Sequence, residues 1–83
     1  MNALYNLHIE TARLVTWRRV LTDRETAVIS LVQQGLRNKQ IAYALGMSEE
    51  TVKTHVKRSM RKLGAKNRTD AAFKALALAE SMA

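Results

Sequence analysis

Between Thr51 and Thr69 the chain places seven basic side chains, Lys53, Lys57, Arg58, Arg61, Lys62, Lys66 and Arg68, and no acidic one. The chemistry such a run offers is anion binding. Little else in the sequence suggests a reaction. With no cysteine there is no thiolate nucleophile, disulfide or sulfur-ligated metal, and the two histidines, His8 and His55, lie far apart without metal-ligand spacing. No nucleophile–base pair, paired carboxylates or phosphate-cradling glycine loop is visible, so neither an enzyme nor a cofactor is expected. The whole chain carries a formal charge of +7 and has a pI near 10.4, within the range of nucleic-acid-binding domains. By contrast Leu21–Gln34, with Asp23, Arg24 and Glu25, is nearly balanced, so the anion is expected at one particular place.

The elements that must hold those cations can be read from caps and breakers. A chain of 83 residues makes one domain with a small core. Absence of proline and plentiful Ala, Leu, Lys, Arg, Gln and Glu favour helix. Thr22-Asp23-Arg24-Glu25 reads as a capping box, followed by an apolar face of Val28, Ile29, Leu31 and Val32 and a stop at Gly35. Asn38 is expected to cap a second helix, Lys39–Leu45, with Ile41, Ala42 and Leu45 inward and Gly46 as a left-handed stop. Ser48 is expected to cap a third, with Glu49 and Glu50 at the end where the helix dipole favours negative charge, closing at Gly64. Asn67 or Thr69 caps a fourth, running from about Asp70 to Met82. Ahead of these, Leu4, Leu7, Leu14 and Val15 can share one face, so residues 1–20 are expected to form a helical N-terminal extension, with Trp17 and Val20 as a staple before Thr22.

Helices two and three are joined only by Gly46-Met47-Ser48, which forces a sharp crossing of the helix-turn-helix kind. On the third, Val52, Val56, Ser59, Met60 and Leu63 cluster on one face. Thr54, Lys57, Arg58 and Arg61 lie opposite, flanked by Lys53 on one edge and His55 and Lys62 on the other. One side packs and the other is cationic. A B-DNA major groove, about 12 Å wide, admits one such rod. Base edges are expected to meet Lys53, Thr54 and Lys57 near its N-terminal end. Phosphates are expected to meet Thr51, His55, Arg58, Arg61, Lys62, Lys66 and Arg68, joined by Asn38 and Lys39 at the start of the second helix.

From Leu21 onward the sequence resembles the LuxR-type (GerE-like) DNA-binding domain of bacterial transcription regulators. The resemblance rests on Leu21-Thr22-Asp23-Arg24-Glu25, Gly35-Leu36-Arg37-Asn38-Lys39-Gln40-Ile41-Ala42, Ser48 with Thr51-Val52-Lys53-Thr54-His55-Val56, Arg61-Lys62-Leu63-Gly64 and Asn67-Arg68-Thr69. It implies an all-α, four-helix domain over 21–83 whose third helix reads DNA and whose last helix often forms the dimer contact. About twenty residues precede the match, so no receiver or ligand-binding domain is expected within this sequence. The chain therefore resembles the short stand-alone members, unless it is excised from something longer.

The last helix is rich in apolar residues. Ala72, Ala75, Leu76 and Ala79 are expected to face the core, with Ala71, Leu78 and Met82 along one flank and Phe73 and Ala77 along the other. The excess suggests a homodimer contact through Ala71, Ala75, Leu78 and Met82. The expectation is a transcription regulator that binds double-stranded DNA sequence-specifically, as a dimer on an inverted repeat. With no membrane span or secretory signal evident in the sequence, the expected location is the cytoplasm, on the nucleoid. Two alternatives stay open. The chain could be an interaction module that pairs with a larger regulator of the same family. It could also be a sigma-factor-like piece that works with RNA polymerase.

Overall fold

A computed structural model of the chain describes residues 20–81, with side chains as far as residue 78. Four helices and no strand occur among the described residues: α1 (Asp23–Gln33), α2 (Asn38–Leu45), α3 (Glu49–Leu63) and α4 (Arg68–Ser81). The all-α architecture read from the caps is the one found. The expected N-terminal helix, with Trp17 of its staple, and Met82 lie outside the described residues, and Ala79 lies past the last described side chain.

Three of the four helix starts follow from a single short side chain. At α1 the Thr22 hydroxyl accepts the Glu25 N–H at 3.1 Å and the Glu25 carboxylate accepts the Thr22 N–H at 2.9 Å, so the capping box is complete. Ser48 accepts the Thr51 N–H at 3.1 Å and opens α3. Asn67, rather than Thr69, opens α4 by accepting the Asp70 N–H at 2.8 Å. Asp70 in turn accepts the Lys66 N–H at 2.9 Å. That bond, helped by the Lys74 ammonium 3.3 Å away, holds the Asp70 carboxyl below the usual carboxylate range.

The start of α2 departs from the expectation. Its flanking residue is Arg37, not Asn38, and an arginine has no oxygen with which to accept an N–H. What remains is half a box, in which Gln40 Oε1 accepts the Arg37 N–H at 2.8 Å. Asn38 is already helical, and its side chain is engaged elsewhere.

The corner between α2 and α3 is set by Gly46, whose φ of +64° lies in the left-handed region closed to most side chains. That conformation lets the Met47 N–H reach back to the Ala42 carbonyl at 3.0 Å. The chain then turns through Met47 and Ser48 into α3.

Beneath the corner lies a compact core of Leu21, Val28, Ile29, Val32, Ile41, Ala42, Val52, Val56 and Ala75, ringed by half-buried Leu31, Leu36, Leu45, Met47, Met60 and Leu63. Helix α3 packs on α1, α2 and α4, and so is held from three sides. Each fully buried Val or Ile contributes about 1.5–3 kcal/mol, so this small set carries most of the stability.

On α4 the inward face is rotated by about one residue from the expectation. Ala71 and Ala75 are buried, Ala72 is only half-buried and Leu76 is 45% exposed. In so alanine-rich a helix the apolar residues surround the axis, and tertiary packing rather than periodicity decides which side goes in. The Gln33 amide, donating to the Ala72 carbonyl at 3.2 Å, helps fix the rotation.

Candidate nucleic-acid interface

Helix α3 separates its two faces as its sequence requires. Val52, Val56 and Ser59 are buried, and the Ser59 hydroxyl is satisfied by the His55 carbonyl at 2.7 Å. Lys53, Thr54, Lys57, Arg58 and Arg61 are all exposed. Packing on three sides leaves that face outward. The Lys53 ammonium sits 3.3 Å from Glu50, one turn back, in a pair whose two side chains are 60% and 84% exposed. So wet an ion pair is worth little and is readily exchanged for another acceptor. The Thr54 hydroxyl donates to the Glu50 carbonyl at 3.0 Å, and Thr51 shares its hydroxyl with Ser48 at 2.9 Å.

Two of the cations expected at phosphates also bond to other helices of the domain. Lys62 Nζ lies 2.7 Å from Glu25 Oε1, and the Glu25 side chain is only 3% exposed. Burial works to raise the Glu25 pKa, but the Lys62 ammonium and the Thr22 N–H outweigh it and hold the carboxyl below the usual glutamate range. Glu25 is thus both the cap of α1 and the anchor of the α3 C-terminus. Arg68 donates from Nη1 to Asn38 Oδ1 and from Nη2 to the Leu36 carbonyl, each at 2.6 Å. Both Arg68 and its acceptor Asn38 are half-buried. Lys62, Arg68 and the Asn38 side chain, all expected at phosphates, each join one helix to another in this structure.

Lys39 and Lys66 are exposed, as expected of phosphate ligands. Lys39 shares an open depression of about 420 Å³ with Arg37, Asn38, Glu49, Lys53 and Arg68, where the start of α2 meets the start of α3. Arg37 is the cation in this group that sequence reasoning missed. Its place beside Asn38 and Lys39 was the signal. His55 is half-buried, and its Nδ1 is buried without a hydrogen bond to any described residue. Among the described residues no group of His, Asp or Glu could hold a metal ion, and no helix is long and apolar enough to cross a membrane.

Of the side chains expected at a dimer contact, Ala71 and Ala75 have 0% and 1% exposure and are consumed by the core of this chain. That assignment is corrected with the rotation of α4. Leu78 is half-buried beside Val20, Lys62, Leu63, Lys74 and Ala77. The apolar groups α4 turns outward are Phe73, 69% exposed, and Leu76, with exposed Ala77 one turn on from Phe73.

Comparison with known proteins agrees with this geometry. Residues 19–75 match the family described as bacterial regulatory proteins, luxR family. The chain is similar to the nitrate/nitrite response regulator protein NarP of Escherichia coli, 50% identical over 52 residues, which are 63% of this chain and 24% of that protein. It is similar to the DNA-binding transcriptional activator DevR/DosR of Mycobacterium tuberculosis, 46% identical over 61 residues, 74% of this chain and 28% of that protein. With the spore germination protein GerE of Bacillus subtilis it shares 41% identity over 61 residues, 74% of this chain and 82% of that protein. The chain thus spans about a quarter of the length of the first two and most of the third.

Proposed function

This chain belongs to the luxR family of bacterial regulatory proteins, and we propose that it binds double-stranded DNA sequence-specifically, as a transcription regulator, with α3 in the major groove. The observation that carries this reading is the outward face of α3. Lys53, Thr54, Lys57, Arg58 and Arg61 are exposed together on a helix whose opposite side is buried by three others. The DNA-binding unit is residues 21–83, with 1–20 as an extension.

Lys53, Thr54 and Lys57 meet base edges, because they lie toward the end of α3 that follows the corner. A lysine donates to guanine O6 or N7, and a threonine methyl packs on a thymine methyl. Arg58, Arg61, Lys66, Lys39 and Arg37 meet phosphates, with Thr51 at the edge of the same surface. With Nδ1 enclosed, His55 reaches a phosphate through Nε2. The first N–H groups of α2, which Arg37 cannot cap, are donors that suit the same backbone.

A second copy, docked through Phe73, Leu76 and Ala77 of α4, gives two recognition helices about 34 Å apart on an inverted repeat. The protein then acts on the bacterial nucleoid, in the cytoplasm.

Selection of bound sites from a random duplex pool at fixed, stated salt tests the reading. It predicts a palindromic consensus whose half-site centres are about one helical turn apart. Recovery of unenriched sequence would overturn specificity, and an enriched but asymmetric single half-site would overturn the dimer.

A further inference from the structure

Helix α2 poses a mechanical problem. It is eight residues long, far below the length at which a helix holds itself together in water. Its buried residues, Ile41 and Ala42, lie past its first turn. Its start has no side-chain acceptor, whereas α1, α3 and α4 are opened by Thr22, Ser48 and Asn67. Yet Lys39 stands in that first turn, on the surface assigned above to the DNA backbone.

A charged tie to this turn comes from α4. Arg68, the first residue of α4, straddles the entry to α2. One prong of its guanidinium holds the Asn38 side chain and the other holds the Leu36 carbonyl, both at 2.6 Å and across 30 and 32 residues of sequence. A guanidinium presents its donors in a fixed fork, so two bonds fix an orientation as well as a distance. The lysine ammonium has rotatable donors and no fixed fork, so it does not set that orientation.

We propose that Arg68 is a positioning residue for DNA binding: by clamping Leu36 and Asn38 it presents Lys39 to the phosphate backbone, and it does not itself touch the DNA. The inference rests on the proposed DNA-binding reading for the contact made by Lys39, and on the two bonds of Arg68 for the clamp.

Anisotropy titrations of a fluorescent duplex carrying the selected site, over a salt series and with every variant shown folded by circular dichroism, test it. Arg68→Ala loses about tenfold in affinity, the scale of a lost charge-assisted hydrogen bond. Asn38→Ala loses a comparable amount. Arg68→Lys, which keeps the charge but not the fork, behaves like Arg68→Ala. Lys39→Ala lowers the slope of log affinity against log salt by about 0.9, one phosphate contact. Adding Arg68→Ala to Lys39→Ala then changes neither affinity nor slope much further. The proposal is overturned if the two losses multiply and the slope falls by about 1.8, or if Arg68→Lys restores wild-type binding, since either marks a direct phosphate contact.

Amide exchange of the free protein keeps the clamp separate from the DNA reading. Arg68→Ala speeds exchange at Ile41, whose N–H bonds to the Arg37 carbonyl at 2.9 Å, and leaves Val52 and Val56 protected. Unchanged exchange at Ile41 overturns the clamp. Failure of the wild-type protein to bind any duplex overturns the DNA reading while the exchange result still decides the clamp.

Discussion

Lys57 and Lys62 carry the same ammonium on the same helix, and their neighbours give them different work. Lys57 is exposed with no acidic partner among the described residues, whereas Lys62 reaches back to the buried Glu25 at 2.7 Å. Lys57→Ala is expected to cost about 1–3 kcal/mol of DNA affinity and to relax preference at one base position. Arg61→Ala is expected to weaken all sequences alike and to reduce the salt slope by about 0.9, in the same titrations. Lys62→Ala leaves the salt slope unchanged and instead lowers folding stability by about 1–2 kcal/mol, measured by urea unfolding, because Glu25 loses one of its two partners in a dry site. The Glu25 carboxyl is held below its ordinary value in the folded state. Its stabilisation is therefore complete above the unfolded glutamate pKa of about 4.3 and is lost as pH falls through the lower folded value. Unfolding curves of wild type and Glu25→Gln should differ at neutral pH and converge in acid. A constant difference down to pH 3 would contradict the pairing.

At the scale of the element, the corner is the part the reading frame depends on. Gly46→Ala meets no atom within 4 Å of the added carbon, so its cost is that of the left-handed backbone alone, about 1 kcal/mol, or a Tm lowered by about 4–8 °C. Ser48→Ala removes the α3 cap for a similar cost. Measured ΔTm values near zero at both positions would mean that the corner is not built as described. These caps were legible in the sequence because each joins residues three or four apart, and so were the two faces of α3, where charge and apolar side chains segregate at helical spacing. The Lys62–Glu25 and Arg68–Asn38 bonds span 37 and 30 residues, and no local pattern marks them. Without them, Lys62 and Arg68 read as two more cations in a basic run. The rotation of α4 was hidden for a different reason: alanine on every side gives the helix no strong preference for which face to bury.

Across the whole molecule, the correction to α4 moves the surface available to a second copy. Ala71 and Ala75 are in the core, and Phe73 with Leu76 forms the outward apolar group. Phe73→Glu is expected to shift sedimentation of the protein toward monomer and to weaken binding to a palindromic site far more than to an isolated half-site. Equal loss on both would detach α4 from assembly. Clustering of the free cations on one side also gives the molecule a direction. In the proposed reading the anion meets α3 and the start of α2, and a second copy meets α4. Amide chemical-shift mapping on addition of the selected duplex tests that polarity most directly. Perturbations concentrated at Lys53, Thr54, Lys57 and Arg58, with a second cluster at Lys39, are the predicted result. A map centred on Phe73 and Leu76 that leaves the outward face of α3 unmoved would contradict it.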